Sequence, residues 1–319
     1  MKHLFVIDPL TALNLALDTS LHISQALMAL GEDVYLCQPS QLFLQKTQNV
    51  LYGQVRKLLK FDSGDRSEKI TLSDDLILPV REFSSVHMRK DPPFDTSYIM
   101  VTWMLDFVPS VTVLNSPTAL RSLNEKLLIL RFPHFCADAL FSANPDQLLE
   151  FAERTPAADA ILKPIDLFGG RGVLRLDLNK TPRKKIYETL VEETRSGTLH
   201  RLIQPFNPSI FDGEVRAFYA GSEAIAWCLK KPRSGNFLAN TREGATLHSF
   251  EPSKDLLTKT NHVAKALLKE GVYFVGFDVI GEEISEINIT SPRLLASPGG
   301  DKSEYYKTIA VKFMETLKG

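Results

Sequence analysis

The stretch VGFDVIGEEISEINITSP, residues 275–292, constrains this chain more than any other. Two runs of alternating apolar and polar residues flank the break Gly281-Glu282-Glu283, so the segment predicts a β-hairpin. A three-residue loop pairs Ile280 with Ile284 and sets Asp278 opposite Glu286, with Asn288 two residues on and so on the same face. Phe277, Val279, Ile287 and Ile289 then form an apolar face fit for burial. A two-residue loop would slip the register by one and scatter the polar trio over both faces. Two carboxylates and an amide oxygen on an otherwise apolar hairpin suit a hard cation. Mg2+ takes a few carboxylate oxygens and completes its shell with substrate phosphates and water. The blander account is an exposed acidic face on an edge hairpin.

A second stretch, ILKPIDLFGGRGV (residues 161–173), sets Lys163 on a strand six residues ahead of Gly169 and Gly170. A lysine point charge beside glycines whose backbone N–H groups can approach phosphate oxygens suits a phosphate-gripping turn. It is neither a Walker A loop nor a Rossmann fingerprint, and a glycine turn is more often only a turn. Further on, LIQPF offers strand-end backbone groups at Gln204 and an apolar wall at Phe206 to an aromatic base, against the plainer account of an edge strand ending at proline. GEVRAF sets Glu214 and Arg216 on one strand face, where a surface ion pair is the plain account. In NEKLL, Lys126 sits on a predicted helix, where most lysines are merely solvated.

At 319 residues the chain is long enough for two or three compact units. A formal net charge of -1 gives no electrostatic case for nucleic acid or an anionic membrane. The three cysteines are far apart and odd in number, which suits a reducing compartment rather than a disulfide framework. The start MKHLFVIDPL is too short an apolar run for a signal peptide, and no stretch approaches a membrane span, so the expectation is a cytoplasmic protein. The seven histidines are scattered and no HExxH or EF-hand spacing occurs, which argues against zinc and calcium sites. KHLFVIDPL, a helix over TSLHISQALMALGED with Gly31 beyond its end, and VYLCQ read as β-α-β and predict a parallel sheet. Ser116-Pro117 predicts the start of a helix running through PTALRSLNEKLLILRF. Beyond it, short strands with few helices between them predict antiparallel pairing. The helix SKDLLTKTNHVAKALLKEG then leads into the opening hairpin. The fold class is therefore parallel α/β followed by α+β.

The order of these pieces, with MRKDPPFDT (88–96) and NSPTALRSLNEKL (115–127) added, resembles the bacterial glutathione synthetases of the ATP-grasp superfamily, over almost the whole chain. The resemblance implies an N-terminal α/β substrate-binding domain over 1–122 and an ATP-grasp domain over 123–319, with ATP clasped between two antiparallel sheets. It implies a cytoplasmic ligase that activates a carboxylate as an acyl phosphate and joins it to an amine: γ-glutamylcysteine and glycine giving glutathione, ADP and phosphate. ATP would be held by Lys126, Lys163, Gly169, Gly170, Gln204, Phe206, Glu214 and Asn236. Mg2+, or Mn2+ in its place, would sit on Asp278, Glu286 and Asn288. Arg216 and Arg242 would act at the transferred phosphate, and Arg89, Asp91, Ser291 and Arg293 would bind the small-molecule substrates, an amino acid or dipeptide. A homo-oligomer, dimer or tetramer, is implied as well.

Three departures from that family's pattern fall on substrate-facing or lid elements. Ala16-Leu17 precede Asp18 where the family has a lysine. Asn240-Thr241 and Glu243 stand where a glycine-rich lid is expected, and Arg293 follows the TSP motif. A ligase joining a different acid and amine, whose extra carboxylate could meet Arg293, is thus an alternative. A nucleotide-binding protein without turnover is a second alternative.

Overall fold

The computed structural model describes residues 1–46, 50–64, 67–296 and 302–318, without the side chains of residues 63, 64, 67, 68 and 242. The opening strand β1 (Lys2–Val6) is buried almost along its whole length, as a central parallel strand requires. The carboxylate of Asp18 accepts from Leu21 N at 2.9 Å and so caps α1 (Thr19–Ala29), which is followed by Gly31 at φ +85°. Then come β2 (Asp33–Cys37), β3 (Leu42–Gln45), the long hairpin β4 (Val50–Gly64) and β5 (Ser67–Leu72), and β6 (Leu76–Pro79). β7 (Ser85–Met88), α2 (Thr96–Leu105) and β8 (Thr112–Leu114) complete the unit. Its eight-stranded sheet has the order β3-β4-β2-β1-β7-β8, with β5 and β6 also on β4. β2, β1, β7 and β8 run parallel, as predicted for β1 and β2.

The next element departs from expectation. α3 (Pro117–Ser122) spans only six residues instead of continuing through Lys126. The Asn124 side chain ends it: its oxygen accepts from Lys126 N (3.0 Å) and Leu127 N (3.3 Å), while its amide donates to Ile165 O (3.0 Å). Side-chain bonds of this kind offer the backbone an alternative to the helix. Lys126 therefore stands on a turn.

A second unit holds β9 (Leu140–Ser142), α4 (Pro145–Arg154), β10 (Asp159–Lys163), β11 (Leu174–Asp177), α5 (Arg183–Glu193) and β12 (Arg201–Pro205). Its sheet is antiparallel, in the order β11-β10-β12-β9. Leu148, Leu149, Ala152, Ile186 and Leu190 of the two helices pack on Ala160, Leu162, Leu176 and Ile203 in a core of its own. Only α5 falls between the strands from β10 to β14, as the expectation of few helices there had it, while α4 precedes them. α4 carries a start signal in sequence, Asn144 before Pro145, and the Asn144 side chain accepts from Asp146 N. β12 is also no edge strand, since it lies between β10 and β9.

The third sheet comprises β13 (Glu214–Ala220), β14 (Glu223–Lys231), β15 (Thr246–His248), β16 (Phe274–Ile280) and β17 (Glu283–Asn288), in the order β15-β14-β13-β16-β17. α6 (Lys254–Lys269) precedes β16 and α7 (Lys302–Lys318) follows β17. The apolar face of β16 and β17 merges with the N-terminal unit: Phe277, Val279 and Ile287 share one core with Leu4, Val6 and Met88. The opening hairpin forms with a different register near its turn. Ile280 pairs with Glu283, not Ile284, so the loop is the two residues Gly281-Glu282. A bulge at Ser285, whose hydroxyl donates to Asp278 O at 3.1 Å, takes up the slip, and Asp278 still faces Glu286.

Candidate active site

The second and third sheets face each other across a cleft of about 280 Å³. Its floor is one face of the third sheet. Cross-strand pairing aligns Arg216 of β13, Asp278 of β16 and Glu286 of β17 in a single row. Arg216 Nη2 lies 2.9 Å from Asp278 Oδ2 and Asn288 Nδ2 lies 3.0 Å from the same oxygen. Lys230 of β14 pairs directly with Glu214, forms an ion pair with its carboxylate, and donates to Asp278 Oδ1 at 2.7 Å. Burial pushes the Asp278 carboxyl up, but Arg216 and Lys230, with the bonds from Lys230 and Asn288, outweigh it and hold it down to about 2. Burial raises the Glu214 carboxyl in spite of Lys230.

The opposite wall supplies two further cations. Lys126 Nζ donates to Leu167 O at 2.7 Å and lies 3.6 Å from Glu286 Oε1. Lys163, at the end of β10, enters the same cleft, and burial pulls its ammonium below the usual value against the pull of Glu286. Beside it Gly169 and Gly170 turn at φ +67° and +79°, and a Cβ on Gly170 would sit 3.2 Å from Leu238 Cδ1. Asn240 donates to Gly169 O at 2.8 Å, so the segment around 238–240 lies directly over the glycine turn. Ile161, Phe206, Ile210 and Ala239 form an apolar pocket at one end, and Arg175 stacks 4.0 Å over the Phe206 ring. At that end the Gln204 amide nitrogen is buried and unbonded, and at the floor so is Arg216 Nε.

At the other end Asp91, Ser291 and Arg293 line the cleft. Asp91 N donates to Asp8 Oδ2 at 2.7 Å, and Ser291 bonds to the Asp91 carboxyl, which burial raises. Arg89 stands behind them, its Nη2 on Pro292 O at 2.9 Å, its Nε on Ser20 Oγ at 3.1 Å and its Nη1 buried without a partner.

Of the residues named from sequence, the structure keeps Arg89 buried behind the cleft lining and does not bring Asn236 into the cleft. Its amide oxygen accepts from Leu238 N at 3.0 Å and shapes the loop instead. Arg242 sits in the 3-10 turn Thr241–Glu243, and its side chain lies outside the described residues. Sequence reasoning missed two residues. Lys230 is buried on a strand whose alternation Ala226, Cys228, Lys230 already set it on the inner face, while Lys231 beside it is exposed. Glu125 is half-buried, and its carboxylate accepts from Ile289 N, Thr290 N and Thr290 Oγ1 at 2.6–2.8 Å, fixing the chain as it leaves β17.

Among the described residues no three His, Cys, Asp or Glu side chains gather closely enough to hold a metal by themselves. The donor set instead fits an ion shared with phosphate: two carboxylates in register, an amide, and a cleft in which cations converge from both walls. The unbonded Gln204 amide nitrogen, beside an apolar pocket, fits the edge of a base in the same way.

The family model described as "Prokaryotic glutathione synthetase, N-terminal domain" matches residues 1–121, and "Prokaryotic glutathione synthetase, ATP-grasp domain" matches residues 125–297. The chain is 32% identical to a glutathione synthetase of Ralstonia nicotianae over 92% of its length and 88% of the relative's. It is 31% identical to one of Parasynechococcus marenigrum over 95% and 97%. In fold it is similar to a D-cycloserine synthetase (TM-score 0.68, 13% identity, 99% of each chain covered). An ATP-grasp RimK domain protein of Sphaerobacter thermophilus gives 0.61 at 15% identity over 98% of each.

Proposed function

Given that the chain belongs to the prokaryotic glutathione synthetase family of ATP-dependent, C–N bond-forming ligases, we propose that it joins γ-glutamylcysteine to glycine, with Mg2+ as the divalent ion that this family's use of ATP calls for. The observation that carries the reading is the cross-strand row Arg216, Asp278, Glu286 facing Lys126 and Lys163 beside the glycine turn. Residues 1–122 and 123–319 would then divide substrate binding from nucleotide binding.

In this reading the adenine lies against Phe206 and Ile161, with the Gln204 amide on its edge. Lys126 and Lys163 hold the phosphates, and Gly169 and Gly170 let backbone N–H groups reach them. Asp278, Glu286 and Asn288 would hold the metal ion, which would supply neutralisation of phosphate charge. Arg89, Asp91, Ser291 and Arg293 orient the dipeptide so that its cysteinyl carboxylate meets the terminal phosphate. An oxygen of that carboxylate attacks phosphorus and ADP leaves. The glycine amine then adds to the acyl carbon, loses a proton, and expels phosphate. Arg216, a fixed guanidinium beside the transferred group, stabilises the charge that develops. No side-chain nucleophile is required.

The cation in the role of an extra carboxylate receptor is Arg293, and it favours a different acceptor or donor as the second reading. The test is ADP release with Mg-ATP, γ-glutamylcysteine and glycine, each omitted in turn, and the product identified by mass. Glutathione formation that needs both substrates supports the first reading, while ADP release with other acid–amine pairs alone supports the second. Among the described residues no helix is long and apolar enough to cross a membrane. A cytoplasmic location is the proposal that suits the three buried, free cysteines.

A further inference from the structure

The turn that carries Lys126 is tied to the second unit at two points. Asn124 Nδ2 donates to Ile165 O at 3.0 Å, and Lys126 Nζ donates to Leu167 O at 2.7 Å. Between them Phe94 N donates to Asp166 O, also at 3.0 Å. Three successive carbonyls of the segment that follows β10 are thus held from outside its own unit, and two residues further on that segment enters the turn at Gly169 and Gly170. The Asn124 oxygen meanwhile accepts from Lys126 N at 3.0 Å and from Leu127 N at 3.3 Å. One side-chain amide therefore has two tasks. Its oxygen folds the turn that presents Lys126, and its nitrogen fixes the approach to the glycine turn. Asn124 itself does not line the cleft.

We propose that Asn124 is a positioning residue for the nucleotide phosphates, acting through Lys126 and the segment 165–167 so that the ammonium and the glycine turn are held at a fixed separation before the nucleotide arrives. The inference rests on the reading of the cleft as a nucleotide site. An ammonium has three donors. Leu167 O takes one and holds the four-carbon stem in place, so little rotamer freedom remains to be lost when a phosphate binds. That arrangement works only while Leu167 stays where it is, and the Asn124 bond to Ile165, two residues away, is what ties this segment back to the lysine's own turn.

Asn124→Ser separates the two tasks. A serine hydroxyl can still accept from the N–H groups of the turn but is too short to reach Ile165 O. Equilibrium dialysis of the full chain against Mg-ADP gives the dissociation constant without turnover, urea unfolding gives the stability, and steady-state rates give KM for glycine. The expected result is an ADP dissociation constant about tenfold above wild type, the scale of one lost hydrogen bond, with KM for glycine within about twofold. An unchanged ADP constant, with or without a lower urea midpoint, would reduce Asn124 to a part of the fold and overturn the proposal. ADP and glycine weakened alike would overturn it too, since that marks general loosening. If Asn124→Ser fails to fold by circular dichroism, Asn124→Asp, which keeps the acceptor and loses the donor, takes the same tests, and loss of fold in both would again make the role structural. Failure of the wild type to retain ADP would overturn the nucleotide reading itself, an outcome distinct from retained ADP that ignores Asn124.

Discussion

Arg216 reaches Asp278 because the strand between its guanidinium and Pro292 carries no side chain at one point. A Cβ added to Gly276 would lie 2.7 Å from Arg216 Nη1 and 3.0 Å from Pro292 Cβ. Gly276→Ala is therefore expected to displace the guanidinium while leaving the sheet hydrogen bonds in place. Its kcat should fall towards that of Arg216→Ala, about 10²–10³-fold below wild type if the guanidinium stabilises developing charge. Steady-state ADP release checks both, and a near-normal kcat in either would remove Arg216 from the chemistry. At this scale the sequence was readable wherever strand alternation fixed a face, as for Asp278, Glu286 and Asn288. It was not readable at Asn236, whose amide serves its own loop, because composition cannot say whether a polar side chain turns toward a ligand or toward its neighbour's backbone.

Element boundaries depended on competition between local bonds. The helix foreseen through Lys126 stops because one side chain, Asn124, satisfies two backbone donors in a turn; the apolar spacing beyond it belongs instead to the short 3-10 segment Leu128–Arg131. The hairpin loop is shorter than foreseen, and the bulge at Ser285 that restores its register has no signature in the residue alternation. Between the N-terminal sheet and the third sheet, Asn115 acts as a rivet. Its amide nitrogen donates to Phe274 O (2.8 Å) and Ile289 O (2.6 Å), and its oxygen accepts from Tyr273 N (2.8 Å) and Phe274 N (2.7 Å). Asn115→Ala would leave four backbone groups unpaired in a buried seam. The expected cost is about 3 kcal/mol or more, at roughly 1–3 kcal/mol per orphaned group with partial rescue by water. Urea unfolding measures it, and a change below about 1 kcal/mol would show that the seam relaxes freely.

At the scale of the whole molecule, the N-terminal unit and the third sheet share their cores, whereas the β9–β12 unit has its own. That division puts the cleft at the joint between a large body and a small one. The large body also has a built-in pH response. His87 is buried against Phe5, with His3 and Arg89 nearby, and burial first, then those two charges, hold its imidazole well below the ordinary 6.5. Burial likewise lowers His3. The unfolded chain takes up protons as pH falls through 6.5 while the folded chain does not, so stability is level above that value and drops below it. The slope approaches about 1.4 kcal/mol per pH unit for each histidine. Urea midpoints at pH 7.5 and 5.5 should therefore differ in the wild type and differ less in His87→Phe; equal drops would exclude His87 as a source. A homo-oligomer remains a proposal, for which the half-exposed Met100 and Trp103 of α2, with Phe107 in the turn that follows it, give a candidate contact. Trp103→Glu should lower the sedimentation coefficient if a second copy covers that stripe, and an unchanged value would place the contact elsewhere.

Activation of a carboxylate by phosphoryl transfer is tested most directly by following oxygen rather than rate. With both cysteinyl carboxylate oxygens of γ-glutamylcysteine labelled with oxygen-18, one labelled oxygen should appear in the inorganic phosphate and the other should stay in the new amide carbonyl. Glutathione formed with unlabelled phosphate would contradict an acyl phosphate, and with it the role assigned to every cation in the cleft.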